Sequence, residues 1–150
     1  MHPAETIKDK VTALIAAVNG NPAAARATLR VSTRLEAGLQ CRASARNLPP
    51  IIVDEPRRAG GTDQGMSPVE LLLCALGTCQ EVMYAIHASL MNIELDELRV
   101  DCRGKLDLRG MLGTHADAPV ELTEIEFETH IRSSADEASI LQLIERAESH

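Results

Sequence analysis

Residues 67–91 read SPVELLLCALGTCQEVMYAIHASLM and form the most informative stretch of this 150-residue sequence. Ser67 stands where a helix N-cap is expected, Pro68 occupies the first helical position, and Glu70 follows three residues after the cap. This spacing is a capping box, and it predicts a helix that runs from residue 68 to about residue 91. Because most of the circumference of this helix is apolar, we expect it to be central and buried.

Three strands are predicted before this helix. Residues 28–35 and 39–45 alternate between apolar and polar side chains, which indicates half-buried strands. The segment Glu36-Ala37-Gly38 predicts the turn between them, so the two strands form a hairpin. The short run at 51–53 predicts a third strand, and the glycine-rich residues 54–66 predict a loop.

Two further strands and a helix are predicted after the central helix. Residues 98–108 alternate as a long strand with Gly104 as a candidate bulge, and residues 109–118 predict a loop. A second strand begins at Val120 and changes phase before Ile131, which is consistent with a bulged strand. The spacing of Ser134 and Glu137 matches a second capping box, which starts a last amphipathic helix.

The N-terminal residues 3–18 show helical spacing of apolar side chains, and the sequence Asn19-Gly20-Asn21-Pro22 ends that helix. The predicted order is therefore α-βββ-α-ββ-α, which defines an α+β fold with mostly antiparallel pairing. We expect a single domain over residues 1–150, with residues 1–22 as an N-terminal helical extension.

Composition excludes several classes of function. The chain has 15 Lys and Arg against 22 Asp and Glu, with a net charge of −7, one Phe, one Tyr and no Trp. Nucleic-acid-binding surfaces concentrate basic and aromatic side chains, so no nucleic-acid partner is expected. The start of the chain shows no secretory pattern, and no run of 18 apolar residues occurs. We therefore expect a cytoplasmic protein without a membrane partner.

The four cysteines show no metal-binding pattern. No two of them have CxxC spacing and the five His residues are scattered, so no metal site is expected. In a reducing compartment the thiols are expected to be free. Each is then either a small core hydrophobe or a reactive group. The four are Cys41, Cys74, Cys79 and Cys102.

Cys79 lies on the most apolar face of the predicted central helix. At 100° per residue, five apolar residues fall within about 40° of it. These are Leu72, Ala75, Met83, Ile86 and Leu90. Periodicity alone favours a packed thiol over a reactive one. No Lys or Arg lies between Arg58 and Arg99, so a cation that stabilises a Cys79 thiolate must come from another segment or another subunit.

Two segments carry a resemblance to a known family: DEPRRAGGTDQGMSPVELLLCALGTCQEV at 54–82 and LRVDCRGKLDL at 98–108. Together they resemble the osmotically inducible and organic hydroperoxide resistance proteins, OsmC/Ohr. The resemblance implies an intertwined homodimer in which two antiparallel sheets enclose two central helices. It also implies a peroxidatic cysteine at the subunit interface, which attacks an organic hydroperoxide and becomes a sulfenic acid. A second cysteine on the last helix resolves it.

Carried over to this chain, the resemblance assigns the nucleophile to Cys79 and a thiolate-stabilising role to Arg34. Four other arginines compete for that role: Arg30, Arg42, Arg57 and Arg58. The family places a glutamate directly after the proline. Here Val69 holds that place, so Glu70 is either the positioning acid or only the capping-box acid.

The resolving cysteine is missing from this sequence, because no cysteine follows Cys102. Either the chain is truncated before that cysteine, or an external thiol resolves the sulfenic acid. The resemblance implies no metal or organic cofactor and a dithiol reductant of the lipoyl type. The expected activity is reduction of organic hydroperoxides. The alternative is a non-catalytic dimer of the same fold that binds a small apolar ligand or a partner.

Overall fold

The computed structural model describes residues 6–149 and confirms the α+β class with antiparallel sheets. One short helix, α3, lies in a segment predicted to be a loop, and residues 3–5 of the first predicted helix lie outside the described residues. The elements are α1 (Ile7–Gly20), β1 (Val31–Ala37), β2 (Gln40–Ala45), β3 (Ile51–Val53), α2 (Pro68–Met91), β4 (Glu97–Leu106), α3 (Leu108–Met111), β5 (Leu122–Arg132) and α4 (Glu137–Glu148).

The chain divides into two compact units, and α2 passes from one to the other between Cys74 and Ala75. The first unit contains the antiparallel sheet β1-β2-β3. The turn of its first hairpin is at Gly38, which has a φ of 56°. The turn had been predicted over Glu36-Ala37-Gly38, so it lies one residue later than the middle of that segment. A register shift between Leu35 and Ala37 extends β1 to Ala37, which pairs with Gln40.

Strand β1 was expected to be half-buried, and this prediction is wrong for the isolated chain. All seven residues of β1 are exposed, including Val31 at 75% and Leu35 at 63%. Apolar and polar side chains do alternate along β1, so the strand has an apolar face. Within residues 6–149 of one chain, no other segment covers that face. An apolar face without a cover in its own chain is typical of a subunit interface.

The second unit contains the antiparallel hairpin β4-β5 and the helix α4. The predicted bulge at Gly104 is wrong, because Gly104 pairs regularly with Ile125. Lys105 pairs with Glu124 and Leu106 with Leu122, so the extra residue is Thr123 of β5, and the prediction that this second strand is bulged is confirmed. The core of this unit is a cluster of four buried residues from α2 and α4. They are Tyr84, Ala88, Leu143 and Ala147.

The second predicted capping box is wrong. Helix α4 begins at Glu137, and its N-cap is Asp136 instead of Ser134. The Asp136 carboxylate accepts a hydrogen bond from the backbone N–H of Ser139 at 2.9 Å and from its hydroxyl at 2.8 Å. A carboxylate at the N-cap also interacts favourably with the positive end of the helix dipole, which supports Asp136 in this position.

The predicted bounds of α2 are confirmed, but the prediction that it is buried is wrong for this chain. Only Gly77, Tyr84 and Ala88 are buried among its 24 residues. With Cys79 set at zero, these three lie about 140° to 180° around the helix. The second unit therefore covers the side of α2 opposite Cys79. Periodicity could not predict this, because α2 is apolar on both sides and either side could pack.

Among residues 6–149, α2 is also the one helix that is long and apolar enough to cross a membrane. The mean hydropathy of its most apolar window is 1.4, and 11% of that window is buried in the chain. Interior helices of soluble proteins have the same length and composition, so these properties by themselves assign no membrane.

Candidate functional site

The loop before α2 is organised by a buried carboxylate. Asp54 is 1% exposed, and its side chain accepts hydrogen bonds from the backbone N–H groups of Glu55, Thr62 and Gln64 at 2.9, 3.1 and 3.2 Å. The Thr62 hydroxyl donates a fourth bond. These bonds hold the pKa of Asp54 below its ordinary value, and the bond from the Thr62 hydroxyl has the largest effect. The Asp54 carboxylate therefore orders the glycine-rich loop that follows it.

Two glycines allow this loop to fold closely. A Cβ atom on Gly61 would lie 1.8 Å from the carbonyl oxygen of Glu55, and one on Gly65 would lie 2.2 Å from that of Ile52. Both neighbours are backbone atoms, which cannot move aside as a flexible side chain would. These glycines of the motif thus have a structural reason, which is the close approach of the loop to the backbone of Glu55 and of Ile52.

The capping box at the start of α2 is confirmed. Glu70 Oε2 accepts hydrogen bonds from the Ser67 backbone N–H at 2.7 Å and from its hydroxyl at 2.9 Å. In return the Glu70 N–H donates to the Ser67 Oγ at 3.4 Å. The bonds from Ser67 lower the pKa of Glu70, and the positive charge of Arg58 contributes further. The structure thus places Glu70 in the helix cap.

Cys79 presents an exposed thiol on the uncovered side of α2. It lies in the second unit, whereas Arg34 and Glu70 lie in the first. Its apolar neighbours along the helix include Val82, which is 56% exposed, and Met83, which is half-buried. A nucleophile among aliphatic side chains suits a substrate with an organic group, provided that another surface encloses it.

Arg34 belongs to a charged cluster on the sheet of the first unit. Arg34 and Arg42 are directly opposite each other on β1 and β2. Both bind Glu36: Arg42 through two bonds, with its Nε 2.6 Å from Oε1 and its Nη2 3.1 Å from Oε2, and Arg34 through one Nη2 contact of 3.4 Å. The Arg34 side chain is 76% exposed. Glu36 was predicted to lie in the turn, and no contact with Arg34 was predicted, but Glu36 belongs to β1, two residues after Arg34.

The other three cysteines differ in their exposure to solvent. Cys41 and Cys102 are partly buried on their strands, as expected for packing residues. Cys74 is exposed in the first unit, with its Sγ 3.6 Å from the Met66 Sδ. All four are thiols. No group of three or more His, Cys, Asp or Glu side chains within residues 6–149 could hold a metal ion.

A cleft of about 350 Å³ lies in the second unit and is lined by residues of α2, β5 and α4. The Tyr84 hydroxyl donates a hydrogen bond of 3.2 Å to Glu148 Oε1. Burial, followed by the Glu148 charge, raises the pKa of Tyr84. The side chains of the cleft are Gln80, Tyr84, Phe127, Thr129, Ile131, Ile144 and Glu148. No sequence pattern predicted this cleft, because its walls come from three elements that are far apart in the chain.

Comparison with known proteins identifies the class. A family profile described as OsmC-like protein matches residues 61–150, and the fold and the motif around Cys79 agree with it. The chain belongs to the OsmC-like protein family.

Solved structures with the same fold include an OsmC-like protein from Mycoplasma pneumoniae. It has a TM-score of 0.70 and 19% identity, and the match covers 83% of this chain and 82% of that one. An organic hydroperoxide resistance protein OsmC from Legionella pneumophila matches at a TM-score of 0.60 and 16% identity, over 83% and 85% of the two chains. An organic hydroperoxide resistance protein from Elizabethkingia anophelis, with thiocyanate bound, matches at a TM-score of 0.60 and 17% identity. That match covers 83% of this chain and 84% of the other. No curated protein matches the sequence.

Proposed function

We propose that this protein is a cysteine-based reductase of organic hydroperoxides, with Cys79 as its nucleophile. The observation that carries the proposal is the exposed Cys79 thiol on an apolar helix face within the family motif. Structural relatives described as organic hydroperoxide resistance proteins support the same assignment. An exposed thiol is required, because the sulfur must reach the peroxide oxygen.

The active form is a homodimer in this proposal. Two surfaces of the chain are apolar and exposed: the Cys79 side of α2 and strand β1. A second copy brings two such helices together between two sheets and removes both surfaces from water. Burial of apolar area is the main driving force for association of this kind. It also encloses Cys79, which gives the thiol the apolar surroundings that an organic hydroperoxide requires.

The reaction consumes one hydroperoxide and one dithiol. The Cys79 thiolate attacks the outer peroxide oxygen, the O–O bond breaks, and the alkoxide leaves and takes a proton to become the alcohol. Cys79 is then a sulfenic acid. One thiol of the dithiol attacks the sulfenic sulfur, forming a mixed disulfide and water. The second thiol displaces Cys79 and closes the external disulfide, so the two electrons come from the dithiol.

Arg34 is the proposed cation for the thiolate. Among the competing arginines, Arg42 is held by Glu36 through two bonds, whereas Arg34 has a single longer contact and a mostly exposed side chain. Arg34 therefore retains freedom to approach a sulfur in the assembled dimer. We assign Glu70 to the helix cap, and Glu36 is the acid that contacts Arg34.

The remaining proposals follow from the family and from composition. The reductant is a dithiol of the lipoyl type, no metal or organic cofactor takes part, and the protein acts in the cytoplasm. The net charge of −7 disfavours nucleic-acid partners. No membrane partner is proposed.

Peroxide consumption tests the proposal. The protein is mixed with cumene hydroperoxide and dihydrolipoamide, and the loss of hydroperoxide is followed by oxidation of ferrous iron. We expect turnover by the unmodified protein and by Cys74→Ser, which controls for a thiol substitution on the same helix, and no turnover by Cys79→Ser. Arg34→Ala is expected to slow the reaction more than Arg42→Ala. Equal consumption by the unmodified protein and Cys79→Ser would reject the assignment.

One observation favours the second candidate, a non-catalytic ligand-binding dimer. Glu70 is bound by Ser67, and Val69 stands where the family has its positioning glutamate. Alkylation by iodoacetamide over a range of pH separates the candidates. A free thiol ionises near pH 8.5, so an activated Cys79 reacts rapidly at about pH 6, whereas a packed one reacts slowly throughout.

A further inference from the structure

The turn of α2 that carries Cys79 is held against strand β4 at both of its ends. Gly77 begins this turn and Glu81 ends it, and residues four apart on a helix lie about 40° from each other. Both face about 160° away from Cys79, which lies between them. All three residues belong to the same compact unit as β4. The contacts at Gly77 and Glu81 therefore determine the direction of the Cys79 thiol.

Both ends of this turn contact the backbone of Val100. The Val100 N–H donates a hydrogen bond of 3.2 Å to Glu81 Oε1. A Cβ atom on Gly77 would lie 3.7 Å from the Val100 carbonyl oxygen, so this oxygen also faces the helix. In an antiparallel pair, every second residue directs its N–H and C=O away from the partner strand. Val100, opposite Thr129 of β5, is such a residue, and α2 covers the open edge of β4 there.

Glu81 supplies the polar and directional part of this contact. Apart from Glu70 in its first turn, Glu81 is the one acidic residue of α2. Because α2 is apolar on both sides, apolar contacts alone permit more than one rotation of the helix against the strand. A hydrogen bond restricts both distance and angle, so the bond to Val100 selects one rotation. Glu81 and Val100 are both half-buried, and breaking the bond would leave a backbone N–H without its partner.

We propose that Glu81 is a positioning residue for Cys79. By accepting the Val100 N–H, it fixes the rotation of this turn and keeps the thiol on the uncovered side of α2. Glu81 acts through the helix, because its own side chain is directed away from the sulfur. Its part in turnover rests on the proposed function, whereas its effect on the orientation of the thiol does not. A displacement of about 1 Å can slow a reaction about a hundredfold, so a loosened turn is expected to lower activity in a folded protein.

Three substitutions separate the hydrogen bond of Glu81 from its charge. Glu81→Gln keeps an acceptor at the same length and loses the charge. Glu81→Asp keeps the charge on a side chain that is one methylene shorter, and Glu81→Ala removes both. If the bond positions the turn, Glu81→Gln resembles the unmodified protein and Glu81→Asp resembles Glu81→Ala. Ser67→Ala weakens the cap of the same helix and is the control for a general loss of stability.

A fluorine label reports the surroundings of the Cys79 side chain without turnover. In a Cys74→Ser background, Cys79 is the exposed thiol among the three remaining cysteines, so 3-bromo-1,1,1-trifluoroacetone labels it first. We expect Glu81→Ala and Glu81→Asp to shift the fluorine signal by more than its linewidth. Glu81→Gln and Ser67→Ala are expected to leave it in place. A signal at one position in all of these proteins would overturn the positioning role.

Turnover of cumene hydroperoxide with dihydrolipoamide is the second measurement. We expect kcat/KM to fall at least about tenfold in Glu81→Ala and Glu81→Asp, and less than about twofold in Glu81→Gln and Ser67→Ala. A Glu81→Ala protein with the kcat/KM of the unmodified protein would overturn the role in the reaction. If the fluorine signal moves as expected but the unmodified protein consumes no hydroperoxide, the orientation by Glu81 stands and the proposed reaction falls.

Discussion

Gly77 of α2 lies against Cys102 of β4: a Cβ atom on Gly77 would be 2.9 Å from the Cys102 Sγ. A separation this short is below van der Waals contact, so α2 approaches the strand as closely as it does because residue 77 has no side chain. Gly77 is two residues before Cys79, and on a helix these two residues point about 160° apart. The close packing at Gly77 therefore directs Cys79 away from the sheet of its own unit.

The first prediction concerns this contact. Gly77→Ala is expected to destabilise the protein by about 1 to 3 kcal/mol, because the added methyl group overpacks the space occupied by the sulfur of Cys102. Unfolding in urea, followed by circular dichroism, measures the change.

The matched control is the same substitution in a Cys102→Ala background. There the sulfur is absent, and alanine is favoured over glycine within a helix by about 1 kcal/mol. Gly77→Ala should then be neutral or stabilising. An equal loss of stability in both backgrounds would show that the contact with Cys102 does not set the cost.

The second prediction concerns the proposed dimer. Val82 is 56% exposed and lies on the Cys79 side of α2. Val82→Lys would place a charge in an apolar interface, so we expect the dimer to dissociate. Sedimentation equilibrium measures the mass. Ala116→Lys, in the exposed loop before β5, adds the same charge and should leave the dimer intact. An unmodified protein that is monomeric at all concentrations tested would refute the arrangement.

The third prediction separates the helix cap from catalysis. Ser67→Ala removes the hydroxyl that bonds Glu70 and is expected to cost about 1 kcal/mol of stability. Ser67→Thr, which keeps a capping hydroxyl, should restore most of it. Glu70→Gln is expected to lower stability while leaving kcat/KM unchanged. A large loss of kcat/KM in a folded Glu70→Gln protein would instead give Glu70 the positioning role.

The fourth prediction concerns acid stability. The pKa of Asp54 is lower in the folded protein than its ordinary value, because the Thr62 hydroxyl and backbone N–H groups bond the ionised form. A lowered carboxyl pKa stabilises the fold above the unfolded value of about 3.9, and this contribution is lost as the pH falls through the folded pKa. We expect urea midpoints to decrease from pH 5 to pH 3, and to decrease less steeply in Asp54→Asn.

Asp117→Asn, in an exposed loop, is the control for this experiment and should retain the slope of the unmodified protein. The Asp54→Asn protein should also be less stable at pH 7, because an amide presents a donor where the carboxylate accepts bonds from three N–H groups. An identical pH slope in the Asp54→Asn and unmodified proteins would contradict the role of Asp54.

The sequence predicted helices and strands well where the interactions that determine them join residues close together in the chain. The start of α2 follows from the bonds between Ser67 and Glu70, which lie within one helical turn, and from Pro68 at the first helical position. The start of α4 was placed at the wrong cap, because Ser134 and Asp136 both fit the local pattern and only the folded backbone shows which side chain reaches Ser139.

The site was predictable only in part. Cys79 was assigned as the candidate nucleophile from the resemblance of its motif, which is a property of a continuous stretch of chain, whereas the apolar residues around it by themselves favour a packed thiol. Glu36, which contacts Arg34, lies two residues after it in the same strand. Alternation along a strand allows side chains two residues apart to make contact, but it does not show that they form an ion pair. The pairing of Tyr84 with Glu148 joins residues 64 positions apart, and no local pattern predicts it.

By itself, the sequence determined the α+β order, the bounds of the central helix and the identity of the candidate nucleophile, because periodicity, capping and the motif act over short separations. The tertiary structure alone decided which side of α2 packs against its own chain and which side, with Cys79, stays open. Both sides are apolar. The packed side carries Tyr84 and Ala88, which cluster with Leu143 and Ala147 of α4, and Gly77, which meets Cys102 of β4. No local pattern predicts contacts between residues this far apart in the chain.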